Sequence, residues 1–582
     1  MHADDKRNIL IAALFTILIL FGWPYIANRV FPTAQPPVTK IEGGKTTPVV
    51  QPSADPALDS AAATRNRAVV LREAPRIAIE TPKLKGSLSL KGARIDDIVL
   101  PTYKETIAKN SDPIRIFSPS GTKDAYFAGL GWSGTGLRAP DANTVWTAEG
   151  AKLTPTTPVT LSWDNGQGQR FLIKYTVDAN YMISATQTVQ NNGRGAVGVR
   201  PYALIARGKA TDVNTWTNHV GPIGVFDGAA NYDISYENLD GSAPGFFASI
   251  FGTKAVAGAN PFTSKGGWAG FTDHYWLSAL VPDQTASVDG QFRKGSLYQV
   301  DFAYRGSTLA PGRAVSTTTR IFVGAKESNL LDAYQDAGIA KFDRAIDWGW
   351  FYWFEKPIFF VLDWLFKAIG NFGVAIILLT FIVRGLMFPI AQRQFKSMAQ
   401  MRSVQPKMKA IQEKYKNDKP KQQQEIMELY KREKVNPLAG CLPIFLQIPV
   451  FFALYKVLML TIEMRHQPFA LWIRDLSAPD PLHILNLFGL LPFTPPSFLA
   501  IGLLAVILGI TMFLQFRLNP APMDDTQKQV FAIMPWMMMF VMAPFATGLL
   551  IYWITSNILT IAQQQFLYSR HPALKEKPAA QG

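Results

Sequence analysis

Between residues 371 and 565 the sequence carries five apolar stretches of about bilayer length, at 371–389, 441–460, 498–516, 530–545 and 548–565. Hydrocarbon offers a backbone no hydrogen-bond partner, so a chain crossing it has to satisfy its N–H and C=O groups within each segment. At a rise of about 1.5 Å per residue these stretches suit helices that span or nearly span the hydrocarbon core. Charged residues make up only 17% of the 582-residue chain, which fits a membrane protein carrying a soluble part.

A sixth apolar run, Asn8 to Ala27, follows the basic pair Lys6 and Arg7. It is too long for the apolar region of a cleaved signal peptide, and Asn28-Arg29-Val30-Phe31-Pro32 supplies no small-x-small cleavage site. A retained anchor is the better reading, with residues 1–7 in the cytoplasm. Residues 28–64, rich in Pro, Thr and Ala, read as a flexible linker. The Gly43–Thr47 segment GGKTT has Thr39 where a phosphate-binding loop requires glycine, and no strand precedes it.

From 65 to 346 the pattern changes to short alternating runs broken by Gly, Asn, Asp and Pro. Phe171–Val177 and Tyr181–Val189, joined by Asp-Ala-Asn, form the clearest predicted hairpin. The repetition predicts one large β-sandwich with a helical tail near Leu330–Ile346, its tryptophans serving the core. His219 and His274 lie here without a pattern that makes either a general base. The single cysteine, Cys441, excludes an internal disulfide, and the six scattered histidines offer no metal-ligand spacing. No cofactor is indicated.

Residues 347–370 are aromatic-rich, and Asp363 and Lys367 share one helical face, as expected of a helix lying along the membrane surface. Residues 390–440 hold a basic segment, with twelve Lys or Arg against five Asp or Glu between 391 and 434, in two helical arms around Lys416–Pro420. The positive-inside rule makes this segment cytoplasmic. The loop 461–497 then falls outside, whereas the loop 517–529 and the tail 566–582 fall inside. Six spans with both termini cytoplasmic satisfy every loop.

In that topology Arg384 lies about 7–8 Å from the cytoplasmic end of its span. Gln447, Gln515, Thr555, Ser556, Asn557, Thr560 and Gln563–Gln565 also cluster toward the inner half, while the outer halves are more apolar. This distribution predicts a wet cavity open to the cytoplasm. Snorkelling to the headgroups is the bland alternative for Arg384. The drawn spans contain no Asp or Glu, so a resident carboxylate partner is not expected. Methionines crowd the fifth span at 534, 537, 538, 539 and 542, suiting either lipid-facing packing or a surface adaptable to varied apolar partners.

The stretches TFIVRGLMFPI, SMAQMRSVQPKMKAIQEKY, KVNPLAGCLPIFLQIPVFFALYKVL, PFALWIRDLSAPDP and GLLIYWITSNILTIAQQQ resemble the YidC/Oxa family of membrane protein insertases over residues 348–568. The preceding architecture resembles the Gram-negative form, with a first span and a large periplasmic sandwich. The resemblance implies a polytopic α-helical membrane protein of six spans, with a five-span insertase core and a periplasmic β-sandwich, in the bacterial inner membrane. It implies no enzyme activity. It makes Arg384, Thr380, Gln447, Gln515, Tyr552, Trp553, Ser556 and Asn557 the groove and client-contacting set, with Tyr552-Trp553 where relatives often carry two tyrosines. The basic hairpin, with Arg402, Lys407, Lys409 and Lys414, is the implied contact for the ribosome, the signal recognition particle and its receptor. Further implied partners are nascent inner-membrane proteins, the Sec translocon (SecYEG and SecDF) and anionic lipid, with no specific nucleic-acid sequence. Leu438–Cys441 spells a lipoprotein box, but it opens an internal span and is read as unmodified. A secondary transporter or channel with a periplasmic binding domain is the alternative, although no repeat or acidic ion site is visible. A sugar-processing sandwich is a weaker one, resting on fold analogy.

Overall fold

The computed structural model describes residues 65–570 apart from 210–217, 242–258, 350–351, 434–441, 494, 497–498 and 519–524, together with short paired strands at 41–42 and 45–46. The anchor at 8–27, most of the linker and the tail beyond 570 lie outside the described residues, as does Cys441. The chain divides between Asp347 and Trp348 into two compact units.

The first unit contains a nine-stranded and an eleven-stranded sheet among its described residues. The predicted hairpin is present, with strands Gln169–Val177 and Met182–Asn191 paired antiparallel through Tyr175↔Ala185. Alternation from Ile183 to Asn191 buries Ile183, Ala185 and Val189 on one face, as expected of a strand with one face in a core. The facing strand Tyr126–Ser133 of the larger sheet sends Trp132 against Phe171, with ring centroids 5.1 Å apart. Trp132, Trp146 and Trp268 are buried, so these aromatics serve the core. The helical tail is α1 (Ser328–Asp336) and a 3-10 turn at Phe342–Ala345. It is tied back by Glu327, which accepts hydrogen bonds from Tyr181 Oη (2.7 Å), Tyr103 Oη (3.1 Å) and Lys83 Nζ (2.6 Å). His219 Nε2 lies 2.7 Å from the Pro222 carbonyl, a structural contact.

Asp301, in strand Tyr298–Tyr304, is 1% exposed and meets Arg293 Nε at 3.2 Å and Gln299 Nε2 at 2.6 Å. Burial outweighs these partners and pushes its carboxyl up to about 6. The folded state therefore holds this proton more tightly than the unfolded chain, so the stabilisation is complete below pH ~4 and is lost as pH rises toward 6. At pH 7 the charged carboxylate costs on the order of 2–3 kcal/mol relative to its acid form. Thermal unfolding of the full chain from pH 4 to 7 is expected to show this decline, and Asp301→Asn is expected to flatten it. An unchanged slope in the Asn variant would reject the assignment.

In the second unit, α2 (Tyr352–Ile369) lies in the predicted interfacial segment. Trp353, Phe360 and Trp364 are exposed along one stripe, Ile358, Phe359 and Leu362 are buried on the other, and Lys367 Nζ reaches Asp363 at 2.6 Å. Next, α3 (Phe372–Lys414) is one helix of 43 residues, where the sequence reading separated the second span from the hairpin's first arm at Pro389. Pro389 removes one backbone bond, yet its locked φ is helical, so the helix runs on through it. The turn comes at the expected place, with Asp418 accepting from Lys421 N at 3.2 Å, and α4 (Lys419–Arg432) folds back. Val404, Met408, Leu429 and Tyr430 form the apolar seam of this hairpin.

The remaining helices are α5 (Leu442–Leu460), α6 (Leu503–Leu518), α7 (Asp525–Met542) and α8 (Thr547–Arg570). The fourth apolar stretch thus becomes helical only at Leu503, five residues later than expected. The reason is local: Asp480 accepts from Leu504 N at 2.8 Å, and a Cβ at Gly502 would overlap the Asp480 side chain. By length and composition Phe372–Gln392 is long and apolar enough to cross a membrane, and Pro449–Leu460, Leu503–Leu518 and Ala532–Met542 are shorter apolar helices.

One loop organises the helix starts. Asn371 Nδ2 donates to Phe469 O at 2.9 Å, and the Phe469 ring occupies the space left by Gly373 at the start of α3. At the start of α8, Thr547 N donates to Ala478 O at 2.9 Å and Gly548 N to Leu476 O at 2.9 Å. With Asp480 at the start of α6, three helix N-termini are tied to the segment 469–480, so α3, α6 and α8 begin at the same end of the bundle. The tied groups are those that a helix start leaves without an internal partner.

Candidate functional site

The polar residues picked out in the sequence converge on α8, which packs against both α3 and α6. Tyr552 and Ser556 are one turn apart on α8, and Asn557 adjoins Ser556; all three are buried within apolar surroundings. From α3, Arg384 reaches across with Nε 3.0 Å from Ser556 Oγ, and Nη2 donates to the same oxygen. The hydroxyl is an apt neighbour because it accepts from the guanidinium without neutralising it. Tyr552 lies one turn before Ser556 on the same helix and is buried. Among the described residues no carboxylate pairs with Arg384.

Thr380, one turn before Arg384, is fully buried and donates to the Ile376 carbonyl at 2.7 Å, so its hydroxyl is occupied within its own helix. Thr555 and Thr560 likewise donate to Ile551 O and Ser556 O, both at 2.7 Å. On the other flank of α8, Asn557 Nδ2 donates to Thr511 Oγ1 of α6 at 3.2 Å. Gln515 is half-buried one turn beyond Thr511. Trp553 is half-buried with its ring centroid 4.9 Å from that of Phe451 on α5. The side chains of Gln447 and Arg402 lie outside the described residues. In the hairpin, Lys407 pairs with Glu433 at 2.8 Å, and Lys409 and Lys414 are exposed.

Two participants escaped the sequence reading. Thr511 joins α6 to Asn557, and its signal was the four-residue spacing to Gln515, which puts both on one helical face. Lys456 is a cation within the third span, and its ammonium lies beside Gly349. A complete inventory of charges in the apolar stretches would have found it.

Around this polar line the surface is apolar. Phe381, Ile382 and Leu386 are exposed on α3, as are Trp536, Met537, Phe540 and Val541 on α7. Met534, Met538 and Met539 are half-buried and Met542 is buried, so the methionine cluster divides between packing and surface. A half-buried cation held by a hydroxyl, bordered by exposed apolar helix faces, cannot perform acid–base chemistry on its own. It can attract an anionic group and present apolar surface beside it.

Fold and site define a membrane protein with a strand-rich soluble domain and a helical part in which a half-buried guanidinium bridges two helices. The family described as YidC periplasmic domain matches residues 76–361, and that described as 60Kd inner membrane protein matches residues 364–575. The chain is 46% identical to the membrane protein insertase YidC of Zymomonas mobilis, over 99% of this chain and 97% of the relative. It is 44% identical to the protein of the same name from Methylobacterium nodulans, over 98% of this chain and 96% of the relative. A crystal structure described as an active YidC insertase with the first transmembrane domain resolved aligns with a TM-score of 0.37 at 17% identity, over 94% of this chain and 98% of that one. The chain belongs to the YidC family. It is accordingly an inner-membrane protein with a periplasmic domain.

Proposed function

We propose that this protein is a membrane protein insertase: it receives nascent membrane proteins in a hydrophilic, cytoplasm-facing groove and releases their helices into the bilayer, alone or with the Sec translocon. The observation carrying this reading is the Arg384 guanidinium, held by Ser556 with no carboxylate pairing it among the described residues. A short acidic segment of an incoming chain supplies the missing charge, and Arg384 offsets the cost of bringing its carboxylates into low dielectric. The client's apolar helix moves along Trp553, Met537 and neighbouring side chains, and its burial in lipid drives release. No covalent bond is made or broken.

The topology that supports this function has six spans with both termini cytoplasmic. The common start of α3, α6 and α8 supports it, because alternate spans of such a bundle run in the same direction. The basic hairpin then faces the cytoplasm, where Arg402, Lys407, Lys409 and Lys414 serve the ribosome, the signal recognition particle, its receptor and anionic lipid. SecYEG and SecDF are the proposed partners on the translocon side.

Photo-crosslinkers at positions 447, 515 and 552, with position 353 on the interfacial helix as control, test the groove against a ribosome-stalled client. Adducts at 515 and 552 that exceed those at 353 are expected. Equal labelling at all positions would reject the groove as the client path.

A further inference from the structure

The loop that ties the helix starts ends in an unusual tip. Residues 484–493 read ILNLFGLLPF, and from Pro481 to Phe516 the chain has no Asp, Glu, Lys or Arg. In water such a segment would bury its side chains, yet Leu485, Leu487, Phe488, Leu490, Leu491 and Phe493 are all exposed, Leu490 to 82%. The tip is nonetheless well formed. Of its nine N–H groups, seven are bonded to carbonyls at 3.3 Å or less, including Phe488 N to His483 O at 2.8 Å and Leu491 N to Asn486 O at 3.0 Å. Asn486, its one polar side chain, is turned inward: Oδ1 accepts from Gly489 N at 3.0 Å and Nδ2 donates to Phe493 O at 3.3 Å.

A backbone with most of its N–H groups bonded to carbonyls, a polar side chain spent on that backbone and an apolar exterior are what hydrocarbon favours in a non-helical segment. Leu487 and Phe488 also hold left-handed conformations, at φ 50° and 60°. Bulky residues adopt these at a cost, and such outliers persist where the surroundings or a function demand them. A further observation concerns length. The described part of helix α6 has 16 residues, about 24 Å against a hydrocarbon core of ~30 Å. At its N-terminal end Leu503 N bonds to Leu482 O at 3.0 Å and Ile484 N to Ile501 O at 3.1 Å, which seats the tip against the helix start.

We propose that the 484–493 tip is a lipid-embedded wedge, seated among the acyl chains of the outer leaflet beside the short start of α6. Its ligand class is the acyl chain, and the absence of charge from 481 to 516 favours lipid over an aqueous protein partner. The wedge rests on the topology proposed above, which puts this loop on the outer side. It disturbs lipid packing where the fourth span is shortest, so it eases the outward passage of a client's polar segment.

The test uses the full chain in liposomes at high lipid-to-protein ratio. Cys441→Ser, or Cys441→Ala if the serine form folds poorly, removes the native thiol, and Leu490→Cys carries an environment-sensitive fluorophore. Leu485→Cys is a second tip site, and Ala470→Cys, an exposed position in the same loop, is the reference. The expected result is quenching of the 490 and 485 probes by lipids bearing a nitroxide on the acyl chain, with protection from aqueous iodide. The 470 probe shows the opposite pattern. Iodide quenching at 490 and 485, or shielding there that depends on protein concentration and so marks a second copy, would overturn the wedge. In cells, labelling of 470 by an impermeant maleimide from the periplasmic side checks the topology separately. Labelling of 470 from the cytoplasm alone would instead reject the topology.

Discussion

Replacing Arg384 by alanine is expected to reduce insertion of a small, acidic-tailed client into proteoliposomes by about 10- to 100-fold, the loss that follows from removing charge-assisted hydrogen bonds of about 1.5–3 kcal/mol. A client with a neutral tail should be affected far less, because it brings no carboxylate for the guanidinium to meet. Arg384→Lys retains charge but loses the fork through which Nε and Nη2 both reach Ser556. Most activity retained by lysine therefore marks charge as the working property, and loss in lysine marks fork geometry. Ser556→Ala leaves the charge but frees its orientation, so its effect should be smaller than that of Arg384→Ala. Equal insertion of the acidic-tailed client by wild type and Arg384→Ala would remove the role assigned here.

Asp480→Ala is expected to have the largest effect on stability. This carboxylate is 1% exposed and accepts from Trp472 Nε1 (3.0 Å), Leu482 N (3.0 Å) and Leu504 N (2.8 Å). Alanine leaves three donors without an acceptor and opens a space beside Gly502, costing on the order of 3–5 kcal/mol. Asp480→Asn keeps one acceptor oxygen and should lie between. Thermal unfolding in detergent measures the loss, and amide exchange should quicken at 503–506, where the helix start loses its cap. The same loop segment holds the start of α8, so exchange at 547–549 should quicken as well. Unchanged melting and exchange in the alanine form would show that the loop is not what fixes these helix starts.

Much of the architecture was legible because membrane and strand physics leave strong periodic signals. Alternation in Phe171–Val177 and Tyr181–Val189 specified the hairpin, and turn chemistry at Asp418 and Pro420 specified the bend of the basic segment. Element ends were less legible. Pro389 looked like a stop, but a proline whose φ suits a helix does not end one, and α3 runs on to Lys414. Leu503 could not be foreseen as the start of α6, because Asp480 sets it from 24 residues away. Lys456 was visible in the sequence but was overlooked among apolar neighbours.

The sequence alone determined that this chain has apolar segments of near-membrane length, a basic segment between two of them, a strand-rich domain ahead of them and a family to which its motifs point. Those properties depend on residue type and short-range spacing, which the chain carries whatever its neighbours. Only the tertiary structure decided which hydroxyl receives Arg384, that Asn557 meets Thr511, and that one loop caps three helices. Each of these joins residues far apart in sequence through side-chain geometry of a few ångströms, which packing sets and local pattern does not encode.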